Sequence, residues 1–240
     1  MKKSKRKQTS IHQIGTLAEK SLHSALKEWY SCQGDQVESN VEGYHIDIIQ
    51  SDLLIEIQTA NFASLRTKLT RLTKKHHVRL VYPIAQEKWI ARLATDSKTK
   101  ICRRKSPKRG YIYQLFQELV SIPNLIRNSN FSLEVLMIQE EEVRCQDGKG
   151  SWRRKGLSIS DRCLIQVLSR NVFKEPFDFL ALIPRGLKEP YSTQDLAESI
   201  EQPRWLAQKM AYCLRSMGAI EIVGKNGNSF LYSTSIVVRA

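Results

Sequence analysis

The segment from Glu42 to Gln58, EGYHIDIIQSDLLIEIQ, limits what this chain can fold into more than any other. It holds two apolar β-type runs, IDII and LLIEI, on either side of Ser51-Asp52. With that pair as a two-residue hairpin loop, Gln50 faces Leu53, Ile48 faces Ile55 and Asp47 faces Glu56. Strand alternation then puts Ile46, Ile48, Ile55 and Ile57 on one face, and His45, Asp47, Glu56 and Gln58 on the other. Opposed carboxylates repel and weaken a sheet. Strands this apolar suit a buried sheet, where the pair is tolerable if one carboxyl is protonated or a cation lies between them. Two carboxylates, with water and phosphate completing the shell, are what Mg²⁺ uses in phosphodiester chemistry. The alternative is an edge hairpin whose Asp47 and Glu56 splay into solvent.

Charge favours an anionic partner. The 240 residues carry 38 Lys or Arg against 24 Asp or Glu, a formal net charge of +14. Such an excess points to nucleic acid first and a membrane surface second. It is concentrated in residues 1–156, with 28 basic and 16 acidic side chains, against 10 and 8 in residues 157–240. Two acid-free stretches flank the hairpin's acids or follow them. Residues 57–86 include Arg66, Lys68, Arg71, Lys74 and Lys75, and residues 97–109 include Arg103, Arg104, Lys105, Lys108 and Arg109. Apart from Lys68, these are the expected nucleic-acid contacts of the first part of the chain.

Other classes are excluded. No run approaches the apolar length of a spanning helix. The start, MKKSKRKQ, leads into IHQIGTLAEK with no apolar core of a secretory signal. Five scattered cysteines without a paired motif suit neither a disulfide framework nor a zinc site. A cytoplasmic protein is expected, nucleoid-associated when bound to DNA and with no membrane partner.

Periodicity predicts a helix from Ile11 to about Cys32, strands over 36–40, 44–50 and 53–58, a helix over 62–75, and a strand over 78–82 stopped by Pro83. Lys88–Leu93 and Lys100–Arg104 form a hairpin, Tyr111–Val120 a helix and Ser132–Gln139 a strand. Glu140, Glu141 and Glu142 follow it as solvated acids. The Gly- and charge-rich segment around 147–157 is expected to be a linker, in which Trp152 packs against a domain interface or stacks on a base. A basic arm over 1–10, an α/β domain over 11–146 and a second domain over 158–240 complete this organisation.

The order of a helix carrying an acid, then Asp and Glu-x-Lys on consecutive strands, then a basic helix, resembles the PD-(D/E)XK, restriction-endonuclease-like nuclease superfamily. The resemblance covers roughly residues 11–84 and implies a mixed sheet flanked by helices. It implies Glu19 as the helix acid, Asp47 as the strand acid and Glu56-Ile57-Gln58 as the Glu-x-Lys position. Gln58 stands where Lys is usual; some members carry Gln there and others supply Lys from the next helix, which makes Lys68 the replacement and Arg66 the next candidate. Asp47, Glu56 and the Ile57 carbonyl would hold Mg²⁺, with Mn²⁺ as the substitute. The implied activity is phosphodiester hydrolysis on DNA. The rival is a nuclease-fold DNA-binding regulator or scaffold without catalysis.

Beyond residue 157, the expected order is a helix over 161–169, an apolar run over 177–183, a helix opened by the capping box Ser192–Asp195, a helix from Pro203 to Gly218 and a hairpin. It resembles a winged helix-turn-helix. In the last helix Arg204, Gln208, Ala211, Tyr212 and Arg215 share a face suited to a DNA groove, with Lys225 on the wing. The alternative use of such a module is docking a second copy or a partner protein.

Overall fold

The computed structural model describes residues 21–93 and 100–235. The basic arm and Glu19 lie outside the described residues. The chain is a mixed α/β protein, with helices on both faces of one large mixed sheet.

Helix α1 (Ser21–Tyr30) leads into strands β1 (Gln36–Val41), β2 (Tyr44–Gln50) and β3 (Leu53–Ile57), then α2 (Arg66–Leu72) and β4 (His77–Leu93). The first three strands form an antiparallel meander, and β4 lies parallel to β3. The rungs Ile48–Ile55, Ile49–Leu54 and Gln50–Leu53 keep the expected hairpin register. The expected face does not survive along β2. The β1–β2 ladder skips Glu38, whose φ is 53°, opposite Asp47. On one side of that break Ile48, with Ile55 and Ile57, packs against Leu22 and Leu26 of α1. On the other, Ile46 joins Leu54, Leu69 and Leu72 in the core under α2. The four isoleucines therefore divide between two cores.

Strand β4 does not stop at Pro83. It runs 17 residues, pairing parallel with β6 (Phe131–Gln146) from Val78–Phe131 to Arg92–Arg144. Backbone polarity explains the tolerance. The Val81 carbonyl accepts from Gln58 N–H on the β3 side, and strand alternation points Pro83 to that same side. The β3 ladder ends at Val81, so the missing proline N–H breaks no rung. Beyond it, β5 (Lys100–Lys105) takes β3's place as the neighbour of β4, as the predicted hairpin required.

The expected linker is instead the turn of a second long hairpin. Strand β7 (Leu157–Phe173) pairs antiparallel with β6 from Gln146–Leu157 to Leu133–Phe173. The helix expected over 161–169 is therefore strand, and the first domain extends through it. Among the described residues seven strands make the sheet, in the order β1-β2-β3-β4-β6-β7 with β5 beside the far half of β4. The far halves of β4, β6 and β7, with β5, form an arm that continues past the end of β3.

The acids on this arm are not solvated. Glu140, Glu141 and Glu142 are buried. Lys88 lies 2.8 Å from Glu140 and 3.2 Å from Glu142, and Arg144 lies 2.6 Å from Glu142. Lys100 and Arg103 on β5 reach Glu141 at 2.5 and 2.6 Å. Nearer the first core, the fully buried Glu134 is held by Arg170 at 2.6 Å. Buried charge is tolerable only when paired in this way.

Helix α3 (Leu115–Leu119) packs on the sheet face that carries α2. After β7 come a 3-10 turn over Pro176–Leu182, α4 (Thr193–Ser199), α5 (Arg204–Met217) and the hairpin β8 (Ile220–Asn226) and β9 (Ser229–Thr234). The Ser192–Asp195 capping box forms, and Gly218 ends α5 in the left-handed conformation that glycine adopts freely. Tyr191 pairs with Tyr232 as a short third strand position beside the hairpin. This C-terminal unit is not separately cored. Phe116 of α3, Phe179, and Leu206 and Met210 of α5 belong to one buried cluster with the sheet. Phe179 stacks on Phe173 at 4.3 Å between ring centroids and bridges the end of β7 to α3.

Candidate active site

The site lies where β2 and β3 part, between α1 and α2. The last hairpin rung is Ile48–Ile55, so Asp47 and Glu56 are the first residues past the ladder. Ile57 would face β2 with both its N–H and its carbonyl, and side chains take these groups over. Its N–H donates to Asp47 Oδ2 at 2.8 Å. Its carbonyl accepts from His23 Nε2 at 3.0 Å. The same His23 nitrogen is 3.3 Å from Asp47 Oδ2. Both neighbours are acceptors, so Nε2 carries a proton.

On the α2 side, Lys68 Nζ sits 2.6 Å from Glu56 Oε2 and donates to the His45 carbonyl. Lys68 and Glu56 are both largely buried, with 14% and 11% of their side chains exposed. The lysine thus reaches the second carboxylate from the helix after β3, ten residues beyond Gln58. Gln58 itself turns away and donates to the Ala60 carbonyl in its own loop. No hydrogen bond joins its side chain to Asp47 or Glu56 among the described residues.

The two carboxyls differ in acidity. Burial pushes Asp47 up, but the hydrogen bonds from His23 and from the Ile57 N–H outweigh it and hold the group below the usual carboxylate range. Burial also pushes Glu56 up, opposed by Lys68 and aided by the charge of Asp47, and here burial wins. Adjacent carboxyls with acidities driven apart suit one constant anion and one group able to exchange a proton.

A hard cation here would draw on two carboxylates and the Ile57 carbonyl, although no group of three or more His, Cys, Asp or Glu able to hold a metal occurs among the described residues. The His23 Nε2–H touches two of the oxygens such an ion would use, Asp47 Oδ2 and the Ile57 carbonyl. It stands where positive charge is called for. His23 was missed in the sequence, although its four-residue spacing from Lys27 puts the two on one rim of α1.

The expected nucleic-acid contacts scatter over three regions. Beside the site, Arg66 donates to the Ser121 carbonyl at 3.0 Å, Lys75 pairs with Glu42 at 3.0 Å, and Arg71 approaches the Tyr44 ring at 6.0 Å. Lys74 is exposed. On the arm, Arg103 is held by Glu141 and lies 4.0 Å over the Trp89 ring, and Lys105 and Arg109 approach Glu87 at 2.8 and 3.6 Å. Arg104 and Lys108 are exposed and make no ion pair among the described residues. In the C-terminal unit, Arg204, Gln208, Tyr212 and Arg215 line a cleft with Phe230 of β9. Lys225 lies 4.8 Å over the Phe230 ring. Ala211 is buried in the core instead of sharing that face.

Residues 20–174 match the family model described as a domain of unknown function, DUF8091. The chain belongs to the DUF8091 family. The DUF8091 match ends one residue after β7, so the family boundary follows the sheet and not the glycine-rich turn at 147–156. His23, Asp47, Glu56 and Lys68 fall inside the DUF8091 domain; the α5 cleft falls outside it, and Glu19 precedes its first residue. The chain is also similar to an uncharacterized protein of Treponema pallidum (strain Nichols), 32% identical over 187 residues, 78% of this chain and 74% of that protein. No solved structure matches. No described helix is long and apolar enough to cross a membrane.

Proposed function

We propose that this protein is a metal-dependent DNA endonuclease of the PD-(D/E)XK type, with a C-terminal winged helix that helps hold the substrate. The observation that carries the proposal is the 2.6 Å contact of Lys68 with Glu56, next to Asp47, at the parting of two antiparallel strands. It puts a lysine beside the second carboxylate although Gln58 occupies the usual lysine position. The element order supports the same assignment: a helix, an antiparallel meander of three strands, a helix, and a fourth strand parallel to the third. The pairing of Tyr191 with Tyr232, ahead of two helices and a hairpin, supports the winged helix.

Asp47, Glu56 and the Ile57 carbonyl would hold Mg²⁺ or Mn²⁺, which when bound acidifies a water and offsets phosphate charge. Asp47 stays ionised across the neutral range. Glu56, held by Lys68 at 2.6 Å, would supply the second anion of the ligand set. Lys68 sets a positive charge next to Glu56, where it offsets negative charge building on the phosphate. The cationic positions on α2, β5 and α5 would grip the backbone and not read bases, in keeping with the concentration of charge in the first domain.

The test is cleavage of supercoiled plasmid and of branched and single-stranded DNA with Mg²⁺ or Mn²⁺. Asp47→Ala and Glu56→Ala should each abolish cutting, and Lys68→Ala should lower it by about 100-fold or more, the scale of losing one preorganised charge-stabilising group. Binding of all substrates without metal-dependent cutting would instead favour the non-catalytic DNA-binding scaffold.

A further inference from the structure

The arm ends in a loop built to hold a tryptophan in solvent. Trp152 is 83% exposed at the turn between β6 and β7. The loop around it is tightly made. Gly150 N–H donates to the Gly156 carbonyl at 3.1 Å, and Arg154 Nε donates to the Leu157 carbonyl at 3.2 Å. Asp147 accepts from Ser158 Oγ at 2.8 Å and from Lys149 N–H at 3.0 Å. A Cβ on Gly150 would lie 1.9 Å from the Leu157 carbonyl oxygen, so only glycine fits there. A fully wet tryptophan forgoes its burial energy, and a fixed loop gives it no route to the core.

Its surroundings state the partner's charge. Arg153 lies 5.7 Å from the Trp152 ring centroid, and Lys149, Arg153 and Lys155 are exposed. Asp147 is the only acid between residues 143 and 160, and the loop already uses it. Across 84–110 and 137–167, the sequence of the arm and its connections, there are 15 basic and 7 acidic residues, which is most of the net charge of the chain. An exposed aromatic with one arginine at its ring and further exposed cations in the same loop suits a nucleobase stacked on the ring with its phosphates on the cations.

The arm also sets a distance. Ile57 is level with Val81, and Val81 with Glu134. From Glu134, β6 runs on to Gln146 before the loop begins. Twelve further residues of strand span roughly 40 Å, the length of about twelve base pairs of duplex.

We infer that the Asp147–Gly156 loop binds single-stranded nucleic acid, Trp152 stacking on an unpaired base while Arg153 and Lys155 hold its phosphates, about twelve base pairs from the candidate active site. This takes the class of partner from the nuclease proposal but not its chemistry, so the two can fail separately. Binding is measured by fluorescence anisotropy on the full chain carrying Asp47→Ala, without metal, so cutting plays no part. The probes are a blunt 12-base-pair duplex, the same duplex with a single-stranded thymidine tail, and the tail alone. Trp152→Ala should weaken the tailed duplex and the tail by roughly 5-fold or more, the scale of one stacked base. It should leave the blunt duplex nearly unchanged, and Trp152→Phe should restore most of the loss. Equal affinities of the Trp152→Ala protein and its parent for all three probes would overturn the inference, even if the unsubstituted protein cuts DNA. So would a Trp152-dependent gain in binding to anionic phospholipid vesicles with no effect on the oligonucleotides. Tail binding that depends on Trp152 in a protein that cuts nothing would uphold it and count against the nuclease alone.

Discussion

Lys68 and Glu56 make a largely buried pair, and a buried carboxylate that loses its counter-ion is costly. Lys68→Met should therefore destabilise the protein at neutral pH, by on the order of 3 kcal/mol. The pH dependence has a definite sign. Glu56 has a folded pKa above its unfolded value, so the folded state binds that proton more tightly. Such a group adds stability below its unfolded pKa and loses it as pH rises through the folded pKa. Removing Lys68 pushes Glu56 further up. The loss in melting temperature of Lys68→Met should be largest at pH 8 and shrink towards pH 5, as read by thermal unfolding at a series of pH values. A deficit independent of pH would mean that Lys68 acts by packing alone. Asp47 runs the other way: its depressed pKa stabilises the fold above the unfolded value, and that contribution disappears as pH falls through the folded pKa. Of these residues, Asp47 and Glu56 could be paired in advance because strand register depends on local spacing, whereas Lys68 was expected only through the resemblance to a nuclease family. His23 could not, because a single histidine on an amphipathic helix has many uses until the broken ladder at Ile57 gives it two acceptors. Gln58 could be placed on its strand, but its turn towards Ala60 depends on the loop that follows.

Among the elements, β5 illustrates how paired cations restrain an edge. All six of its residues are exposed, yet Lys100 and Arg103 are anchored on Glu141. Glu141→Ala should release both, leaving β5 looser while raising affinity for single-stranded DNA and steepening its salt dependence by up to two counterions. Titration at several salt concentrations reads this, with amide exchange reporting on β5. The hairpin of β2 and β3 was predictable because its register needs only local alternation and a two-residue turn. Strand β7 was not. Leu164, Val167 and Leu168 recur at helical spacing, and nothing local reveals that residues 157–173 lie against the whole length of β6. Glu140 to Glu142 misled for the same reason. Apart from Arg144 on β6 itself, their counter-ions come from β4 and β5, roughly 40 to 50 residues earlier in the chain.

For the molecule as a whole, the shared core matters most. Phe116, Phe173 and Phe179 join the sheet to the C-terminal helices, and Leu206, Met210 and Leu214 close over them. The intact chain should unfold in one transition. A version ending at Lys174 keeps every strand of the large sheet but uncovers this apolar surface, so it should bind a hydrophobic dye and melt broadly, as calorimetry and dye fluorescence would show. Two separate transitions in the intact chain would mean that the C-terminal unit is stabilised independently. The division into a sheet-based unit and a helix–hairpin unit could be expected from composition, but its place could not. Glycine and charge mark 147–157 as a turn, and whether a turn joins two domains or two strands depends on contacts far from it.

Strand β4 passes both the site and the arm, hydrogen-bonded to β6 for most of its length. A continuous pair of strands does not stretch, so it acts as a ruler. If a nucleic acid is held at the loop and cut at the other end, the interval between the two events is set by a residue count, much as a tailor's rod sets a hem. Relatives with an arm longer by two residues per strand would measure roughly 7 Å more, or two base pairs, with no change in the chemistry of the site.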